Sequence, residues 1–314
     1  MRPILLDTDI GSDCDDSLAL ALVLAARDAL ELVAVTTVSA DVRVRGQIAA
    51  SLLALAGSPD IDVCLGAEGG LARPRERYNW FGHEPFCVAN VPVPALSSEP
   101  APERIVRAAR ETPGLEIVMI GPMTNLALAL ALDPGLPRRV AGVTVMGGHV
   151  REARLGAFVC PFGIDYNLCS DPEASVAVLG AGFRTTLVTA EVTLQTWLRA
   201  ADLERLDAAG PLARETARQV RFWTPLQRKI FTAMGGTLAP DNAAFLHDPL
   251  TVLALFDPSP LDFEELQIAT TIQAGVLRTH EVDPALGIGA SMRVATGVDP
   301  ARARDAIVAR LQGI

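Results

Sequence analysis

A single lysine, Lys229, occurs in the 314 residues of this chain, and no Lys/Arg cluster stands out along it. With a formal net charge of −10 and a pI near 4.9, the chain has no surface suited to tracking phosphates, which excludes a nucleic-acid-binding class. A neutral or metal-held substrate suits this balance better than a polyanion. Cysteine is sparse: Cys14, Cys64, Cys87, Cys160 and Cys169 are odd in number, widely spaced and free of any C-x-x-C pair. That pattern excludes a disulfide framework and a thiolate metal site, and reads as reduced thiols in a cytosolic protein. No apolar run approaches the roughly 20 residues of a membrane span, and the stretch ahead of Asp7 is too short for a signal peptide, so a cytoplasmic chain without membrane partners is expected. Internal repeats, low-complexity tracts and domain linkers are missing as well. Half of the residues are apolar, enough to bury one large core, and a single domain over residues 1–314 is expected.

What is present in excess is acid at one point. Asp7-Thr8-Asp9-Ile10-Gly11-Ser12-Asp13-Cys14-Asp15-Asp16 sets five carboxylates in ten residues, directly after the apolar run at residues 3–6 and before an apolar helical run at residues 17–26. A strand ending in converging acids is costly unless a cation holds it together, because neighbouring carboxylates in a partly buried site repel and raise one another's pKa. Oxygen ligands of this kind fit a hard metal, calcium or magnesium. Helix capping explains Asp16 or Ser17, yet one cap needs one acid, and Asp7, Asp9, Asp13 and Asp15 are left over. An EF-hand fails on position: counting from Asp7, the sixth residue is Ser12 where glycine is needed and the twelfth is Leu18 where glutamate is needed.

Short β-type runs at residues 4–6, 32–38, 116–120, 140–146 and 185–188 alternate with helical patterns. This predicts an α/β fold, a mainly parallel central sheet covered by helices on both faces, with ligands at the carboxyl ends of the strands. The Asp cluster, Gly121-Pro122-Met123-Thr124-Asn125 and Met146-Gly147-Gly148-His149 all fall at such ends. Further strands are expected at residues 267–273 and 291–294, and a last helix at 300–311. Residues 69–102 carry Pro74, Pro85, Pro92, Pro94, Pro100 and Pro102 with Tyr78, Trp80, Phe81, His83 and Phe86, the composition of a long irregular loop that either covers a site or is pinned to the core by its aromatics. His247-Asp248-Pro249 by itself reads as an ordinary helix start, and His83 and His149 as satisfied structural histidines.

Read together the segments say more. DTDIGSDCDDSLALAL, TTVSADV, IGPMTNLALAL, VMGGHV, DYNLCSDPEA and FLHDPLTVLALFDP occur in this order, and the chain resembles the inosine-uridine nucleoside hydrolase family from about residue 4 to 256 and on through the C-terminal strand and helix. The resemblance implies hydrolysis of the N-glycosidic bond of ribonucleosides to free base and ribose, in purine and pyrimidine salvage, by a homodimer or homotetramer. It also implies a calcium ion held by Asp9, Asp16, the backbone carbonyl of Thr124 and Asp248, with Asp9 as the general base on a water. Asp15, Asp41, Asp165 and Asn167 fall on the positions that hold the sugar. His247 matches the His beside the leaving base, where an imidazolium near its ordinary pKa would supply a proton; the segments holding His83 and Trp223 are expected to close over that base.

The chain departs from the family pattern at several of these positions. Ser12, Asp13 and Cys14 lengthen the first motif. Asp41 replaces an Asn and cannot donate a hydrogen bond when ionised. Asp165 replaces the usual Glu and reaches one methylene less far, and a ribose-contacting Asn has no counterpart between residues 155 and 163.

Two other classes compete. A haloacid dehalogenase-type phosphohydrolase also begins with a strand ending in D-x-D, but needs a downstream lysine on the phosphate, and Lys229 sits in a helical stretch with no motif around it. A non-catalytic nucleoside- or sugar-binding protein would keep the cleft without turnover; the presence of Asp9 and His247 weighs against it.

Overall fold

The computed structural model describes residues 1–72, 80–160 and 165–314. Pro74 and Tyr78, and part of the stretch ahead of Asp165, lie outside the described residues. The chain opens by alternating β1 (Arg2–Thr8), α1 (Asp15–Ala25), β2 (Leu30–Thr37), α2 (Val42–Leu55) and β3 (Val63–Leu65). After the Pro-rich segment come α3 (Ala101–Glu111), β4 (Glu116–Met119), α4 (Thr124–Leu132) and β5 (Gly142–Met146). A short hairpin of β6 (Ala153–Leu155) and β7 (Phe158–Cys160) precedes α5 (Tyr166–Ser170), α6 (Pro172–Leu179), β8 (Thr185–Val188) and α7 (Ala190–Thr193). Next are β9 (Trp197–Arg199), α8 (Ala200–Asp207), α9 (Pro211–Ala233), β10 (Asn242–Phe245) and α10 (His247–Phe256). The chain closes with β11 (Leu261–Gln273), β12 (Val276–Glu281), β13 (Ala290–Val298) and α11 (Pro300–Leu311).

Among the described residues nine strands form one sheet in the order β12-β11-β13-β8-β5-β4-β1-β2-β3, all running the same way except β11, which pairs antiparallel with both β12 and β13. The expected architecture is the one found. Its cause is visible in β1, where Ile4, Leu5 and Leu6 are all fully buried: Ile4 and Leu6 face the core shared with α1, α2 and α10, and Leu5 the core shared with α3, α4 and α6. A strand covered on both faces must be apolar on both, so it reads as a continuous run and not as an alternation. Helix α1 is apolar on every side for the same reason, lying between the sheet and α10. The antiparallel edge is not evident from the apolar runs. There Ala274 and Gly275 both adopt positive φ, 52° and 81°, in a two-residue connection between β11 and β12, and a turn so short can join only antiparallel strands.

Candidate active site

The carboxyl ends of β1, β4 and β5 share one rim. Asp7 is the exception among the five acids of the first motif, because it is still inside β1 and its side chain turns into the sheet. It accepts hydrogen bonds from Thr36 Oγ1 at 2.6 Å and from Asn125 Nδ2 at 2.8 Å, tying β1 to β2 and to the start of α4. Burial pushes its pKa up to about 7. Asn125 also donates to the Thr37 carbonyl (3.0 Å) and accepts from the Ala67 amide (2.9 Å), so one amide side chain fastens the ends of β1 and β2 and the segment after β3. Gly66 is dictated by that side chain: a Cβ there would stand 2.1 Å from Asn125 Oδ1. Gly66→Ala is therefore expected to destabilise the fold by roughly 1–3 kcal/mol, the cost of overpacking, and an unchanged thermal midpoint would refute it. Gly121, after β4, is required by close approach as well, since a Cβ would meet the Asp9 amide nitrogen at 2.9 Å.

Past Thr8, whose hydroxyl bonds Asp16, the remaining acids converge. Oxygens of Asp15, Asp16 and Asp248 lie within 4.8 Å of one another, and the Asp248 amide at the start of α10 donates to Asp15 Oδ2 at 3.3 Å. At this spacing and an effective dielectric near 20, each charged pair repels by roughly 3 kcal/mol. Burial first, and then the neighbouring carboxylates, hold all three well above the ordinary carboxylate range. Asp9 adds to this repulsion, and Asp13 is pushed up to about 7, mainly by burial. The N-termini of α1 and α10 face the acids, and Arg45 lowers Asp16 somewhat, but neither offsets so many charges at one point. The donor set fits a hard divalent cation: all oxygens, buried, and spaced as ligands at about 2.3–2.6 Å from one ion would be.

These acids form one end of a cavity of about 410 Å³. Asp9, Asp13, Asp15, Asp16, Asp165, Asn167, His247 and Asp248 line its polar part, while Phe81, Leu194, Trp223 and Phe231 line an apolar part. Asn167 is placed by its amide, which donates to the carbonyls of Ile120 (3.1 Å) and Met146 (3.2 Å) at the ends of β4 and β5. Asp165 accepts from the backbone amides of Gly148 (2.9 Å) and Asn167 (3.1 Å), and burial pushes it up to about 6.

Three residues expected at the substrate or metal do not line this cavity. Asp41 is half-buried and caps α2, accepting from the Val44 amide at 3.1 Å. His83 stacks on Phe81, ring centroids 6.1 Å apart, and stands 6.4 Å from Trp223. The Thr124 hydroxyl is held by Asp171 at 2.7 Å, at the N-terminus of α4. Trp223 does line the cavity, whereas its neighbours Arg221 and Phe222 are exposed on α9. Lys229 is exposed on the same helix and does not line the cavity, which removes the support for a phosphate site.

His247 is half-buried, its Nδ1 2.6 Å from Thr193 Oγ1, and desolvation, which penalises the charged imidazolium, lowers its pKa to about 4, below the near-ordinary value expected from the sequence. The anchor on Thr193 has no sequence signal, coming from a residue far away in the chain. Arg45 does have one: it precedes buried Ile48 and Ala49 by three and four residues, placing a charge on the buried stripe of α2.

A strand-end carboxylate cluster opening on an apolar wall, over a mainly parallel sheet, is the kind of site a metal-assisted hydrolase uses. Residues 4–305 match the family model described as inosine-uridine preferring nucleoside hydrolase, and the chain belongs to that family. It is an N-ribosyl hydrolase. A pyrimidine-specific ribonucleoside hydrolase, RihA, of Salmonella schwarzengrund is 30% identical over 287 residues, covering 87% of this chain and 83% of the relative. A probable uridine nucleosidase 2 of Arabidopsis thaliana is 29% identical, covering 88% and 84%. Among solved structures, a plant nucleoside hydrolase, the PpNRh1 enzyme, superposes with a TM-score of 0.83 at 23% identity over 100% of this chain and 99% of its own. A purine-preferring ribonucleoside hydrolase from Gardnerella vaginalis gives 0.83 at 22%, covering 99% and 98%, again a likeness of fold.

Proposed function

We propose that the protein hydrolyses ribonucleosides with a calcium ion held by Asp9, Asp16, Asp248 and the Thr124 carbonyl, and that residues 1–314 act as one domain. The observation that carries this reading is a cavity lined both by carboxylates and Asn167, which suit a sugar, and by Phe81, Trp223 and Phe231, which suit a base. A bound calcium ion supplies Lewis acidity towards water and sugar hydroxyls. Asp9 accepts a proton from the attacking water. Asp15, Asp165 and Asn167 orient the ribose hydroxyls, and the surrounding carboxylates favour the positive charge that develops on the ring as the glycosidic bond lengthens. With Thr193 donating to Nδ1, His247 offers its Nε2 hydrogen to the departing base. The reading also places the enzyme in cytoplasmic nucleoside salvage as a homodimer or homotetramer; free Cys14, Cys64, Cys87, Cys160 and Cys169 support a reducing compartment.

The deciding experiment is reducing-sugar release from a panel of purine and pyrimidine nucleosides, with and without chelator, uridine being the first to try given the relatives' names. Chelator-sensitive ribose release is expected; no release from any of them overturns the reading. 2′-Deoxyuridine is expected to lose tenfold or more in kcat/KM, since a missing hydroxyl leaves buried polar groups unpaired at roughly 1–3 kcal/mol each. Equal rates on uridine and 2′-deoxyuridine would show that the sugar is held differently.

A further inference from the structure

We infer that Ser12, clamped between Arg45 and Glu84, is a positioning residue that fastens the aromatic wall of the cavity to its carboxylate loop. This rests on the function proposed above. Ser12, Arg45 and Glu84 are each 0% exposed, and no role in the reaction accounts for burying a guanidinium and a carboxylate here. Arg45 donates to the carbonyls of Asp9 and Ile10, the latter at 2.9 Å, to the Ser39 carbonyl at 2.7 Å and to Ser12 Oγ at 3.1 Å. It thus fixes the backbone of the loop that carries the acids. Ser12 Oγ in turn donates to Glu84 Oε1 at 3.1 Å. The same carboxylate accepts from the amides of Phe81 at 2.6 Å and Gly82 at 2.7 Å, which sets the segment bearing Phe81 and His83. Phe81 lies 5.6 Å from Trp223 between ring centroids, and both line the cavity. The Arg45 guanidinium also stands 5.8 Å from the ring centroid of Trp80, the residue before Phe81.

Ser12 is one of the three residues that stand between Gly11 and the Asp15–Asp16 pair. Ser12 Oγ thus joins the loop held by Arg45 to the segment held by Glu84, beside the contact of Cys87 Sγ with the Gly11 carbonyl at 3.7 Å. The consequence of its loss falls on the base, not on the sugar.

The test compares wild type with Ser12→Ala, in each case as the calcium-loaded protein. Loss of one buried bridge is expected to raise KM for uridine or inosine about fivefold or more, with less than a twofold change in kcat. The inhibition constant of free ribose and the calcium affinity by calorimetry are expected to stay within twofold. In a Phe81→Ala background, Ser12→Ala is expected to add nothing further to KM, because the wall residue it positions is gone. In a Trp197→Phe background, acrylamide quenching of Trp80 and Trp223 reads the wall without turnover and is expected to rise in Ser12→Ala. Unchanged KM or unchanged quenching overturns the inference, and so does an equal loss in ribose and calcium binding, which would make Ser12 a part of the acid loop alone. If wild type releases no ribose from any nucleoside, the proposed function fails separately and quenching alone decides the clamp.

Discussion

Exhaustive chelation is expected to abolish ribose release and to lower the melting temperature, with the loss growing as pH rises. The sign follows from burial of the acids. Asp7 and Asp13 are pushed up to about 7, Asp165 to about 6, and Asp15, Asp16 and Asp248 well above the ordinary range, so the stripped native state binds more protons than the unfolded chain. Stability then falls as pH climbs from the unfolded value near 3.9 through these raised values. A bound cation reverses this for its ligands, because it takes the place of the protons and binds best when the carboxylates are ionised. The gap in melting temperature between loaded and stripped protein should therefore widen from about pH 5 to about pH 8. Differential scanning calorimetry at several pH values, with elemental analysis of the stripped sample, measures it. Full turnover in a sample shown to contain no metal, or a gap that narrows with pH, would remove the cation from the site.

His247→Ala is expected to slow inosine and uridine by about 10²-fold, the scale for loss of one hydrogen bond to charge developing on the departing base, while sparing p-nitrophenyl riboside, whose leaving group departs without such help. The ring is 2.6 Å from Thr193 Oγ1 and lines the cavity near Phe245, ring centroids 5.2 Å apart, so its place is set by an anchor and a packing partner independent of the substrate. Thr193→Val keeps the ring and removes the anchor, and should fall between wild type and His247→Ala on natural nucleosides. Equal loss on both substrates in His247→Ala would assign the residue to the architecture of the site and move the proton donor elsewhere, His83 being the next to replace.

The parallel sheet was readable along the chain because its strands are buried on both faces and so appear as apolar runs; β8 begins and ends where its run does, and α11 where its capping Asp299-Pro300 and final Leu311 place it. At the edge the strand expected at residues 267–273 falls within β11, but β12 and the antiparallel pairing were not readable, since strands half exposed to solvent mix polar and apolar residues and their pairing depends on a two-residue turn of ordinary composition, Ala274-Gly275. Helix α9 carries Pro225 in its interior and is amphipathic over 23 residues, so only packing along its Leu212, Val220 and Trp223 side makes it continuous.

By itself the sequence determined that a strand ends in acids, that a second acid opens a late helix, and that both belong to one hydrolase family, because those features are local and chemically costly without a purpose. Tertiary structure alone decided which carboxylates share a point. Asp7 is turned into the sheet by strand alternation, Asp15 is drawn to Asp248 through the amide that begins α10, and Asp41 is taken up as a helix cap. It also decided the anchoring of His247 on Thr193 and the pairing of Ser12 with Arg45 and Glu84, since contacts between residues distant in the chain are properties of the folded whole, which no spacing along it encodes.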